Sequence, residues 1–384
     1  MGAAPDFGDL RSLMNEPYSR QIWDQLCTWV EQWDPQDRAE RVLPYLDGHL
    51  HQWLDEERFV PPRWIERLLE DGKELPYVAV ARYLSLRGHS RKGGWRDYPT
   101  LAALWSSPSL ESITILDMGH NALQDHEWEL MFACEHMESL EQLRCAYVDP
   151  EHDHPGWLKG LKNAPFAKAL VELDINACKL EEEECEVLFE AELTSLRALD
   201  ISNNNFTMDT ITRIAQNFPQ LTELVMGGIS VGSRSLEPVR KLEHLRRLDL
   251  SNCNLQQDHF EKLGVAGFAS QLTHLTLWGN RVGVGAIDLW LGKGAYGSLR
   301  ELNLGKTGLD DIELARILDS PHVETLEVLE LPNNSLTDTA LGALRSSGRL
   351  KNLRKLNLLG NKTTAEGASA IKEDPVLGPI TRIR

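Results

Sequence analysis

The sequence predicts an α/β solenoid, with short parallel strands lining the inner side of a curved stack, helices on the outer side, and an all-helical cap at the N-terminal end. Three observations carry this reading. An apolar motif recurs ten times at nearly constant spacing, each copy is followed by a stretch of helical character, and the first 80 residues lack the motif but hold apolar stripes at helical spacing. A chain of 384 residues is long for one compact core. Stacked repeats escape that limit because each new copy buries its apolar face on the last.

The segment "LRRLDLSNCNL", starting at Leu245, gives the template L-x-x-L-x-L-x-x-N/C-x-L. Matches begin at Ile113, Leu140, Leu170, Leu196, Leu221, Leu245, Leu272, Leu299, Leu326 and Leu353, separated by 24 to 30 residues. The weakest copy begins at Leu140, where Val148 and Pro150 take the polar and final apolar slots. The L-x-L step belongs to a strand, whose side chains alternate between faces. In the Leu245 copy, Leu248 and Leu250 point inward while Arg247, Asp249 and Ser251 point to solvent.

After each strand comes a helical run. "MDTITRIAQNF" places Ile211, Ile214 and Ala215 on one face, "DDIELARILDS" places Ile312, Leu314, Ala315 and Leu318, and "DTALGALRSS" places Leu341 and Leu344. Asp or Thr just before these runs suits an N-cap. Strands pair about 4.8 Å apart and helices pack roughly 8–10 Å apart, so a stack of such units curves with strands inside.

The template resembles the leucine-rich repeat over about residues 110–375, and a strand plus a true helix in about 27 residues resembles the ribonuclease-inhibitor type. The resemblance implies that the polar slot (Asn204, Asn280, Asn334, Asn361, with Cys178 and Cys253 as variants) bonds exposed backbone of neighbouring turns. It also implies a non-enzymatic protein-binding scaffold working through the concave face. A regulator of a small GTPase, acting in trans, is the alternative within the family.

The domain reading is a helical capping region over residues 1–109, with a possible degenerate first repeat in "VARYLSLRGH", followed by the solenoid over 110–384. In the cap, Ile22, Leu26, Trp29, Val30 and Trp33 form one stripe, and Val42, Leu43, Leu46, Leu50, Trp53 and Leu54 a second. "PPRWIERLLEDGK" is a third helix opened by Pro61 and Pro62.

The formal charge of -18 is concentrated: residues 110–195 carry 20 acidic and 5 basic side chains, and residues 196–384 carry 21 and 22. This argues against nucleic acid and anionic membrane as partners and favours a protein with a basic surface. No apolar run is long enough to span a membrane, and the start lacks a secretory pattern. With six cysteines and no export signal, the expected location is cytoplasmic, with the thiols reduced.

No phosphate loop, nucleophile elbow or histidine-carboxylate signature is present. "EHDHP" (Glu151 to Pro155) and "EEEECE" (Glu181 to Glu186) read as solvated acidic segments rather than metal sites, and "GVGAIDLWLGKGAYG" lacks the lysine step of a nucleotide loop. No catalytic residue, metal or cofactor is expected. The binding candidates are outward strand positions: the acids Asp117, Asp174, Asp200, Asp249, Glu301 and Glu330, with Arg247 and His274, around Trp278. A large exposed aromatic among small residues is the kind of side chain that anchors an interface.

Overall fold

The computed structural model describes residues 6–71, 74–88, 101–148, 156–293 and 296–383. It divides into two compact units, residues 1–178 with 184–196, and residues 179–183 with 197–384. "EHDHP" lies outside the described residues.

In the first unit four three-residue strands pair in parallel and in chain order: β1 (Tyr83–Ser85), β2 (Ile115–Asp117), β3 (Gln142–Arg144) and β4 (Glu172–Asp174). In front of them lie helices Phe7–Met14, Arg20–Gln32, Leu43–Leu50 and Pro62–Asp71. The helix Arg20–Gln32 buries Trp23, Leu26, Cys27 and Val30. The stripe is thus rotated by one position from the expected one, and Ile22 and Trp29 are only half-buried. In the second stripe Val42, Leu46 and Leu50 are buried, whereas Leu54 falls beyond the helix end and is exposed.

The segment that leads into the last of these helices closes the edge of the strands. Val60 N–H donates to Tyr83 O at 2.7 Å, and Arg82 and Tyr83 N–H donate to Arg58 O at 2.7 and 3.1 Å. Residues 58–60 therefore satisfy backbone groups on the otherwise bare side of β1. They are held from behind, where the buried Trp23 indole donates to Phe59 O at 2.8 Å. Burial pushes the Arg58 guanidinium down to about 10, and its Nε donates to Val80 O.

In the second unit eight parallel strands follow in chain order: β5 (Ala198–Asp200), β6 (Glu223–Val225), β7 (Arg247–Asp249), β8 (His274–Thr276), β9 (Glu301–Asn303), β10 (Val328–Glu330), β11 (Lys355–Asn357) and β12 (Thr381–Arg382). Leu199, Leu224, Leu248, Leu275, Leu302, Leu329 and Leu356 occupy one register position, none more than 2% exposed. This column is the inner wall that period-2 patterning predicts.

Three residues after the last strand residue the backbone turns left-handed in every copy from β1 to β11. Glycine fills this position at 88, 228, 279 and 360 and asparagine at 203, 252 and 333, but His120, Tyr147, Ala177 and Lys306 adopt φ of 53 to 59° without that licence. At Gly279 a side chain is doubly excluded, because a Cβ would run into the Asn252 amide.

The polar slot behaves as the resemblance implies. Asn280 is buried; its amide donates to Leu250 O (2.7 Å) and Leu277 O (3.0 Å) and accepts from Cys253 N (3.1 Å) and Leu255 N (3.2 Å). Asn334 repeats this with Leu304 O, Leu331 O, Thr307 N and Leu309 N. Cys253 and Cys178 substitute through Sγ donations to Met226 O (3.3 Å) and Cys145 O (3.0 Å). All six cysteines are buried and none forms a disulfide.

The helical runs start where expected. Thr207, Asp310, Thr337 and Thr364 are N-caps, each accepting from a backbone N–H of the first turn. Ile312 is a correction: it sits in the first turn, faces solvent and leaves Leu314, Ile317 and Leu318 as the buried stripe. Helix length varies among the copies: the 25-residue copy at Leu196 carries the ten-residue helix Met208–Asn217 and the 26-residue copy at Leu170 only Glu186–Glu190. The 27-residue copies from Leu245 onward carry helices of 8 to 10 residues, whereas the 24-residue copy at Leu221 carries only Glu237–Arg240.

Candidate binding surface

On the strands of the second unit the outward side chains form three columns. The first holds Glu223, Arg247, His274, Glu301 and Lys355, and its charges are paired across neighbouring strands. Arg247 Nε lies 3.2 Å from Glu223, His274 Nε2 lies 3.5 Å from Glu301, and Lys355 reaches diagonally to Glu330 at 2.7 Å. Glu330 also accepts from the Asn357 amide at 2.6 Å. Burial lowers the His274 imidazole below its ordinary value, opposed by the Glu301 carboxylate.

The central column explains the acids that the sequence marks as binding candidates. Asp200 accepts from Ser202 N at 2.9 Å, Asp249 from Ser251 N at 2.7 Å, Asn303 from Gly305 N at 2.9 Å and Asn357 from Leu359 N at 3.1 Å. In the first unit Asp174 accepts from Asn176 N at 2.9 Å and Asp117 from Gly119 N at 2.8 Å. Each side chain bonds the backbone two residues on, the Asx turn that Asp and Asn favour. These residues close the strand exit just before the left-handed turn. Asp117 is corrected further: it is only 4% exposed, enclosed by the Tyr83 hydroxyl (3.2 Å) and Arg87 (3.5 Å), and offers no surface to a partner.

The third column holds Trp278, which is half-buried rather than fully exposed. The Cε3–Cζ3 edge of its indole lies against Gly305, where a Cβ would run into both ring carbons, and Pro332 stands beside that position. Trp278, Gly305 and Pro332 occupy the same slot of three successive copies, so one repeat supplies the ring, the next the space and the third a wall. The result is an aromatic ledge with Arg247, Asp249, His274, Glu301 and Glu330 on the same face of the neighbouring strands.

The Leucine Rich Repeat family model matches residues 195–218 and 244–264. These segments hold two of the copies whose strand, slot and turn geometry recurs along the chain. Over those two segments the chain is similar to leucine-rich repeats. A solved structure of the Rad7 and Elc1 complex in yeast aligns over 94% of this chain and 88% of that one, with 15% identity and a TM-score of 0.59. An internalin (inlF) from Listeria monocytogenes aligns over 89% and 93% with 16% identity and a TM-score of 0.45. A TLR13–ssRNA13 complex aligns over 79% of this chain and 42% of that one, with 18% identity and a TM-score of 0.46. The first of these likenesses supports the fold.

The stacked repeats place further acids in structural roles. In the "EEEECE" run, Glu182 accepts from the Thr207 hydroxyl at 2.9 Å and from Thr210 N at 3.2 Å, and Glu181 accepts from Asn205. The run is therefore not a wholly solvated face. Asp311 and Asp338 do the same for the next repeat, accepting from Thr337 N (2.8 Å) and Thr364 N (2.9 Å) as well as from their hydroxyls. This second, carboxylate–threonine ladder joins helix starts and was missed in the sequence, although Asp and Thr recur there at a spacing of 26. Among the described residues no cluster of His, Cys, Asp and Glu could hold a metal, and no helix is long and apolar enough to cross a membrane.

Proposed function

We propose that this leucine-rich repeat chain is a non-catalytic scaffold that holds a protein partner on the strand face of its second unit, with Trp278 as the anchor. The observation that carries the reading is the ledge formed by Trp278 against Gly305, surrounded by charges already paired with one another. A half-exposed aromatic within a polar surround has the anatomy of an interface hot spot. Because the face presents both signs of charge, contact favours a partner with mixed polarity. The excess of acid in residues 110–195 biases the approach toward basic groups.

The test is capture of partners from the native source with wild-type protein, Trp278→Ala and Gly305→Ala as baits. Trp278→Ala removes the ring; Gly305→Ala displaces it without removing it. Both should weaken the same partner by about 30-fold or more, equivalent to a hot spot of about 2 kcal/mol. Equal recovery by all three baits would overturn the assignment. The alternative, regulation of a small GTPase in trans, predicts that a recovered GTPase hydrolyses GTP faster when the chain is added.

A further inference from the structure

The residue preceding each strand of the second unit follows an alternation that the strand-face reading does not use. Arg197, Arg246, Arg300 and Arg354 precede β5, β7, β9 and β11, while Thr222, Thr273 and Glu327 precede β6, β8 and β10. The backbone of this row is satisfied without the side chains. Arg246 O accepts from both Thr273 N (2.8 Å) and His274 N (3.0 Å), and Arg300 O accepts from Glu327 N (2.7 Å) and Val328 N (2.9 Å). The arginines are therefore not needed to hold the strands.

Arg246, Arg300 and Arg354 line a groove of about 650 Å³ along this edge, with Thr273, Asn352 and Glu327. One carboxylate serves two of the three guanidinium groups: Glu327 pairs with Arg300 and, at 3.4 Å, with Arg354. Arg246 is exposed and has no carboxylate within ion-pair distance among the described residues. The groove thus carries a local excess of two positive charges on a chain of net charge -18. A long polyanion would meet the repulsion of the whole chain, whereas a short acidic segment meets mainly the groove.

The spacing narrows the ligand further. Strands about 4.8 Å apart place arginines of alternate repeats roughly 10 Å apart. A polyproline II segment, with three residues per turn and a rise of about 3.1 Å, presents every third side chain on one side at about 9 Å. We infer that this edge is a binding site for an extended acidic peptide segment in the polyproline II conformation, carrying Glu or Asp at every third position. Each guanidinium offers a planar pair of donors to one carboxylate.

The probe is a fluorescein-labelled heptapeptide, Glu-Pro-Pro-Glu-Pro-Pro-Glu, titrated with the full chain in fluorescence anisotropy. The control is its isomer Glu-Glu-Glu-Pro-Pro-Pro-Pro, of equal charge and composition. The spaced peptide should bind at least fivefold tighter than the isomer and weaken as salt rises. Arg246→Gln combined with Arg300→Gln should reduce binding tenfold or more. Glu327→Gln, which releases Arg300 and Arg354, should strengthen binding several-fold, a gain that misfolding cannot imitate. Trp278→Ala should leave the peptide unaffected, which separates this site from the strand face. Equal binding of both isomers, no response to the arginine or Glu327 variants, or tighter binding of a single-stranded RNA heptamer would each overturn the inference.

Discussion

Replacing Asn280 by alanine removes an amide that bonds five backbone groups in a site only 1% exposed to solvent. Of these, Trp278 O, reached at 3.4 Å, keeps the Asn252 N–H at 2.7 Å. Two donors, the N–H groups of Cys253 and Leu255, lose the Oδ1 acceptor they share. Leu250 O loses the donor at 2.7 Å, whereas Leu277 O keeps the Asn280 N–H at 3.2 Å. Three groups are thereby left unpaired. At about 1–3 kcal/mol for each buried orphan, partly relieved by a water entering the vacated space, the expected loss is about 3 kcal/mol. Asn361 provides the internal comparison. It is half-buried and accepts only from Leu336 N at 3.2 Å, so Asn361→Ala should cost about 1 kcal/mol. Asn280→Asp restores the acceptor but not the donors and places a carboxylate against two carbonyls, so it should not rescue. Urea unfolding of the three variants, followed by far-ultraviolet circular dichroism, reads these values. If Asn280→Ala loses less than about 1 kcal/mol, or no more than Asn361→Ala, the ladder does not hold the turns together.

Other consequences concern the cap, the second ladder and the thiols. Deleting residues 1–80 strips Arg58, Phe59 and Val60 from β1 and should give a protein that self-associates through its bare edge; a monomer melting at the full chain's temperature, judged by light scattering and calorimetry, would contradict the capping role. Asp338 is held below its usual value of 3.8, first by the Thr364 hydroxyl and then by its N–H. Its contribution to stability is therefore complete above about pH 4 and is lost as pH falls through the lowered value. Asp338→Asn should flatten this acid limb in urea midpoints taken from pH 6 down to 3, and an unchanged limb would remove Asp338 from the account. Burial raises the Cys134 thiol to about 11 and the Cys253 thiol to about 12, and all six cysteines are buried, so a disulfide reagent at pH 8 should label none of them until denaturant is added.

The sequence makes the repeating parts of the fold legible because each is enforced by a short-range rule. Leu248 and Leu250 must share a face, Asn280 must find backbone partners near a turn, and Thr337 must cap the helix that begins at Asp338. Outward side chains are harder to read. Period-2 alternation shows that Asp200 and Asp249 leave the core, but not that their carboxylates fold back onto Ser202 and Ser251. The signal was present as Asp or Asn three residues before the Gly, Asn or Lys that turns left-handed. Trp278 was legible as an aromatic among small neighbours, yet its half-burial depends on the glycine 27 residues later, a contact created only by stacking. Pairings such as Glu223–Arg247 and Glu330–Lys355 likewise require the strand register.

The central claim is that a protein partner sits on the strand face of the second unit. A photo-crosslinking amino acid placed one at a time at Thr276, central on that face, at Thr339 on an exposed helix position, and at Asp24 in the N-terminal helices tests it most directly. The account predicts that the partner is captured covalently from position 276, and that capture is lost when Trp278→Ala is added. Capture from position 339 or 24 with none from 276 would contradict it and move the binding surface to the helices.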